Sequence, residues 1–283
     1  MCDRSAVTGT THPSRTTRPT SSARRRPPTR RGSGRSRAGR QGSGRARAGR
    51  QTSGRGGAGR LGWAWLVLVV AVALGVGIPV WSEARESARF PVSAADVDRA
   101  RTELGALAVK GRAPKTGYSR DQFGPAWADV DRNGCDTRND VLARDLTDVT
   151  FEDGTHDCVV LTGTLADPYT DEVIAFERGP RSAEVQIDHV VALSDAWQKG
   201  AQQWDAETRR QFANDPANLL AVDGPANGAK GDGDAATWLP PSTGYRCAYV
   251  VRQVRVKAAY GLWVTQAEHD AMSRQLDGCA VTR

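Results

Sequence analysis

The sequence predicts an α+β domain with a small ββα unit, flanking helices and a β-hairpin, preceded by one transmembrane helix and a disordered N-terminal tail. Three observations predict it. The run Glu184-Val185-Gln186-Ile187-Asp188-His189-Val190-Val191 reads as a strand, because β-branched side chains fit a pleated surface. After a long excursion, Asn218-Leu219-Leu220-Ala221-Val222 reads as a second strand, and Asp223-Gly224-Pro225 turns it into a helix carrying Asn227 and Lys230. Residues 61 to 81 carry no charge, and a helix needs roughly 20 apolar residues to cross a bilayer core.

The chain has 283 residues and a net charge of +7, but the two signs are segregated. Residues 1 to 60 hold sixteen Arg, no Lys and one acid, Asp3, for a net +15. Arg, Gly, Ser, Thr and Pro without Leu or aromatics bury too little apolar surface to offset chain entropy, so this tail is predicted disordered. Its decapeptide repeat at 32 to 41 and 42 to 51 is low complexity, not a stacking repeat. Such a tail can bind nucleic acid or anionic lipid through counterion release, or serve only to orient the membrane segment. Residues 82 to 283 hold 23 basic and 31 acidic residues, a net −8. The basic balance therefore belongs to the tail, and the domain does not attract a polyanion over distance.

The apolar run is flanked by Arg60 and Trp63 on one side and Trp81 on the other, as membrane interfaces favour. With the tail held in the cytoplasm, residues 82 to 283 are expected outside the cell membrane. The alternative is secretion after cleavage at Ser82-Glu83-Ala84. Cysteine usage agrees with export: Cys135, Cys158, Cys247 and Cys279 all follow the membrane segment. Of three possible pairings, Cys135 with Cys158 and Cys247 with Cys279 close local loops between adjoining elements. Free buried thiols are the alternative, and no Cys-x-x-Cys spacing suggests zinc.

The remaining elements follow in order. A lead-in helix and linker occupy 82 to 114, with Ser93 as the cap of a helix running to about Lys110 that presents Val97, Leu104 and Leu107. The domain proper is 115 to 283. A helix is expected from Asn139 through Leu146, then strands Cys158 to Leu165 and Glu172 to Phe176 joined as a hairpin. Residues 192 to 212 read as helical with Trp197 and Trp204 on one face, stopped by Asp215-Pro216.

The ββα unit carries the chemistry. Adjacent strand residues point to opposite faces, so Asp188 and His189 converge only if the strand twists or ends there. Asp188 offers a hard carboxylate oxygen suited to Mg²⁺, with the Asn227 amide oxygen as a second ligand. His189 can take the proton of a water attacking phosphorus. Asn218 is placed to hold the backbone of the excursion, and Lys230 to contact a phosphate. Together they fit metal-assisted phosphodiester hydrolysis.

At these residues the chain resembles the HNH, or ββα-metal, endonucleases. It is similar in particular to the HNH-type domain at the C-terminus of GmrSD-type restriction enzymes, in a stand-alone exported form. The resemblance spans roughly 115 to 275. It extends to Asn133-Gly134-Cys135-Asp136-Thr137-Arg138-Asn139-Asp140, Asp167-Pro168-Tyr169, Ala196-Trp197, Phe212-Ala213-Asn214-Asp215-Pro216 and Trp238-Leu239-Pro240-Pro241. It implies His189 as general base, Asp188 as metal ligand, Asn218 as the middle Asn and Asn227 as the final ligand. That final position is His in many members; Asn there makes Mg²⁺ or Mn²⁺ a better fit than Zn²⁺.

Two further features bear on ligands. Asp129-x-Asp131-x-Asn133-Gly134, with Asp140, copies part of a calcium loop but lacks the closing Glu, so a capped turn is the competing account of 129 to 140. Residues 245 to 260 hold Arg246, Arg252, Arg255 and Lys257 without an acid, and Arg252 and Arg255 on one helical face could hold a nucleic-acid backbone. The expected function is an extracytoplasmic metal-dependent endonuclease, acting on DNA sooner than RNA. The competing expectation is a catalytically silent extracytoplasmic binding module, calcium-stabilised or not. No protein partner is indicated.

Overall fold

A computed structural model describes residues 89–281. The Arg-rich tail at 1 to 60 and the membrane segment at 61 to 81 lie outside the described residues. Among the described residues no helix is long and apolar enough to cross a membrane.

Helix α1 (Ala94–Ala106) starts at Ser93, whose hydroxyl accepts from the Asp96 N–H, and buries Val97, Ala100 and Leu104. It stops four residues short of Lys110. There the backbone finds other partners: Lys110 N–H donates to the Val264 carbonyl, and Val264 N–H to Ala108. Helix α2 (Thr137–Asp145) is capped by Asp136 and ends one residue before strand β1 (Leu146–Phe151). Strands β2 (Val160–Ala166) and β3 (Val173–Glu177) complete an antiparallel sheet of order β1-β2-β3. The hairpin was expected; β1 was not, because only Leu146 of Leu-Thr-Asp-Val-Thr-Phe is buried and no apolar alternation marks it.

A second sheet pairs β4 (Val185–His189) with β5 (Leu219–Asp223), in register from Val185 opposite Asp223 to His189 opposite Leu219. Both faces of this pair are covered. Val185, Ile187, Leu219 and Ala221 pack toward α2 and the first sheet, whereas Leu220 and Val222 pack with Tyr169, Tyr249 and Met272. Burial on two sides explains a strand sequence that is apolar almost throughout, with each such side chain contributing about 1.5–3 kcal/mol.

Helix α5 (Gly224–Lys230) leaves β5 directly, with Asp223 accepting from the Ala226 N–H. Gly224 is required by close approach: a Cβ there would lie 2.3 Å from the Ala183 carbonyl oxygen. Helices α3 (Leu193–Gln198) and α4 (Ala206–Asn214) lie in the excursion between the strands. The continuous helix expected over 192 to 212 is therefore broken. Gly200, at φ +133, takes the chain out of helical geometry, in a backbone conformation that L side chains rarely adopt. Trp197 and Trp204 nonetheless share one cluster with Phe123 and Phe212.

Helices α6 (Arg246–Ala259) and α7 (Gln266–Asp277) close the domain. Both expected disulfides are present, Cys135–Cys158 and Cys247–Cys279. A buried ionic cluster ties α3, α6 and α7 together. Lys199 pairs with Asp195 at 2.7 Å, Asp234 at 2.8 Å and Glu268 at 2.5 Å, and Lys257 with Asp195 at 3.0 Å and Glu268 at 2.9 Å. Arg112 completes it from the rim through Asp195 and Asp234.

Candidate active site

β4 ends at His189, and there Asp188 and His189 line one cavity of about 360 Å³ despite their opposite strand faces. Asn227 and Asp232 line it too. A second cavity, of about 260 Å³, also borders His189. His189, Arg120 and Leu193 are common to both.

The His189 ring is oriented from behind. Its Nε2 lies 2.8 Å from the Ala213 carbonyl oxygen. A carbonyl only accepts, so Nε2 carries the proton and Nδ1 keeps its lone pair. Burial lowers the His189 pKa to about 4, outweighing the Ala213 hydrogen bond; the Arg120 and Lys230 charges act in the same downward sense. The residue is a neutral imidazole at pH 7.

Asp188 is 5% exposed, and both its oxygens are engaged. Lys230 Nζ donates to Oδ1 at 2.9 Å and the Tyr169 hydroxyl to Oδ2 at 2.5 Å. Lys230 also donates to the His189 carbonyl at 2.8 Å and lines neither cavity; its ammonium is spent inside the fold. Tyr169 is delivered by the hairpin between β2 and β3. Asp167 shapes that turn, accepting from the Thr170 N–H and, across to β5, from the Asp223 N–H.

Asn218 clamps the start of the excursion. Its backbone carbonyl accepts from Val190 N–H at 2.7 Å, and its side chain accepts from Val191 N–H and donates to the Val191 carbonyl. Arg252 secures the same turn from α6, donating to the Pro216, Ala217 and Leu219 carbonyls. Arg255 is paired with Asp96. These two arginines line one concavity with Pro91 and Ala217, and it shares no lining residue with the cavities at His189.

The oxygen atoms around Asp188 offer a donor set for a divalent cation. Asn227 Nδ2 donates to Gln186 Oε1, which fixes the amide and leaves the lone pairs of its oxygen available to a cation. A carboxylate has about four lone-pair sites, so Lys230 and Tyr169 leave Asp188 able to ligate and act as the outer partners that orient it. One carboxylate and one amide oxygen are hard donors of the kind a divalent cation takes together with waters. Among the described residues no group of three or more His, Cys, Asp or Glu side chains could hold a metal. That includes 129 to 140, where Asp129 accepts from the Asn133 and Gly134 N–H groups and Asn133 bonds Asp131 and Asp140. The acidic loop is closed on itself as a capped turn.

Arg120, Trp127, Tyr169 and Asn214 were not singled out from sequence as site residues. Arg120 is exposed at the shared rim, and its guanidinium makes no hydrogen bond or ion pair with a described residue. Only the Asp-Pro-Tyr and Phe-Ala-Asn-Asp-Pro segments carried a signal, for Tyr169 and Asn214.

Residues 136–275 match the family model described as GmrSD restriction endonucleases, C-terminal domain. An uncharacterized secreted protein of Arthroderma benhamiae is 38% identical over 191 residues, covering 67% of this chain and 89% of that relative. No solved structure matches. The chain belongs to the family of GmrSD restriction-endonuclease C-terminal domains.

Proposed function

We propose that this protein is an exported, metal-dependent nuclease that hydrolyses phosphodiester bonds in nucleic acid, DNA above all. The observation that carries the reading is His189: a buried neutral imidazole, held through Nε2, at the meeting point of two cavities and next to the Asp188 carboxylate.

In this reading His189 Nδ1 takes the proton of the attacking water, as general bases contribute about 10²–10⁴-fold. A pKa near 4 is low for that task, but an anionic phosphate in the cavity favours the imidazolium and raises it. Arg120 holds a phosphate oxygen at the rim and stabilises the added charge of the transition state. Asp188 and Asn227 hold Mg²⁺ or Mn²⁺, which when bound supplies Lewis-acid stabilisation of the phosphate and the leaving oxygen. Lys230 and Tyr169 position Asp188, and Asn218 keeps the excursion in register with β4. Arg252 and Arg255 act as supports, with their guanidinium groups committed to internal partners.

Export is supported by two disulfides and by the secreted relative. The uncharged stretch at 61 to 81 supports anchoring in the cell membrane with the domain outside. The competing reading, a silent binding module, draws on Asp188, whose carboxylate is already paired with Lys230. Incubating the purified protein with plasmid and with RNA, across Mg²⁺, Mn²⁺ and Ca²⁺, separates the two. Metal-dependent cleavage supports the nuclease; intact substrate under every metal favours the silent module.

A further inference from the structure

The chemistry above uses only the cavity that carries Asp188 and Asn227. The other, of about 260 Å³, has apolar walls of Phe123, Pro125, Trp127 and Leu193. The Trp127 indole lies nearly parallel to the His189 ring, at 14° with 6.2 Å between centroids. Trp127 is held at φ +58, an outlier for a bulky side chain of the kind that concentrates at functional sites.

Asn214 supplies an independent observation. It is 1% exposed and lines this cavity. Its Nδ2 donates to the Arg210 carbonyl at 2.8 Å, which fixes the amide, and its Oδ1 is buried without a partner. Buried polar atoms are seldom left so, and one beside a cavity points to a ligand that brings a donor. Asp121, also in the lining, is a second acceptor. The complement of these walls is a flat aromatic ring with N–H groups on its edge. A nucleobase has both.

We propose that this cavity binds a nucleobase next to the phosphate held at His189, so that the protein selects single-stranded or unpaired nucleic acid. The identity of the polymer rests on the nuclease reading. In a duplex the base edge is paired and its faces are stacked, so entry requires extrusion; a single strand avoids that cost. Arg120 stands at the rim between the base and phosphate cavities, where the backbone joining them would pass.

The test is fluorescence anisotropy with the wild-type full chain in EDTA, which separates binding from turnover. The probes are a labelled single-stranded oligodeoxynucleotide of about 12 residues, its duplex, and the same strand with every base removed. Base stacking on an aromatic side chain leads us to expect the intact strand to bind about tenfold more tightly than either other probe. Trp127→Ala should lose most of that advantage and Trp127→Phe keep most of it. Equal affinity for the intact and abasic strands, or for strand and duplex, overturns the proposal. Base-dependent binding without cleavage under any metal leaves the pocket standing and refutes only the nuclease reading. Cleavage at rates indifferent to base removal does the reverse.

Discussion

Lys230 Nζ lies 2.9 Å from Asp188 Oδ1 and 2.8 Å from the His189 carbonyl oxygen, on a side chain entirely removed from solvent. One ammonium thus ties the end of α5 to both residues that finish β4. Removing one partner of a buried ion pair leaves the other uncompensated, so Lys230→Met should cost about 3–5 kcal/mol in urea unfolding. Tyr169→Phe removes one donor to the same carboxylate and should cost about 1.5–3 kcal/mol. If Lys230→Met is as stable as the wild type, Lys230 does not position the site.

His189 sets an acid limb for stability. Its pKa is lowered to about 4 in the fold, against 6.5 in the unfolded chain. Between these values the unfolded chain takes up a proton that the folded one refuses, so stability falls as pH drops through that window, by up to about 1.4 kcal/mol per pH unit. His189→Gln should flatten the slope of Tm against pH there. An unchanged slope would place the His189 pKa near its ordinary value.

A second, lower limb belongs to the ionic cluster. Burial alone would raise the Asp234 carboxyl, but Lys199 and then Arg112 override it and hold it at about 2. The same balance, through Lys257 and Lys199, lowers Asp195. Stability from these groups is present above the ordinary carboxylate range and is lost as pH falls toward 2. Unfolding curves of Asp234→Asn should be less steep in that range than those of the wild type.

The disulfides span 23 and 32 residues and constrain the unfolded chain. By loop length each should be worth about 3–4 kcal/mol. Reductant should lower Tm markedly, and Cys247→Ser should do so alone. A Tm insensitive to reductant would show that the fold does not depend on them.

Arg252 distinguishes a support from a substrate contact. Its three carbonyl partners at 216, 217 and 219 hold the turn that delivers Asn218. Arg252→Ala should lower stability while leaving the salt slope of nucleic-acid binding unchanged. A slope reduced by about one unit would return Arg252 to phosphate binding.

Much of this was legible in the sequence, for identifiable reasons. β4, β5 and α5 could be read because two-sided burial makes the strands apolar and Asp-Gly-Pro marks the turn between them. Both disulfides could be read from local loop closure. What escaped depends on distant contacts. β1 is held by its pairing with β2, including the Thr150–Thr162 hydroxyl pair, and by little burial of its own. The helix expected over 192 to 212 divides at Gly200, and a lone glycine does not announce a break in the sequence. Lys230 carries no local sign of facing inward; its place is set by Asp188 across the ββα unit. Arg120, at the start of a four-residue 3₁₀ turn, and Trp127, in the irregular segment after it, border the His189 cavity from a stretch with no periodic signal.

The most direct test is of His189 itself. Supercoiled plasmid is incubated with wild type and His189→Ala, matched for folding by Tm, with Mg²⁺ and with EDTA. Loss of a general base predicts nicking by the wild type in Mg²⁺ only, and a fall of about 10²-fold or more in the variant. Equal nicking by the two proteins would contradict the role assigned to His189.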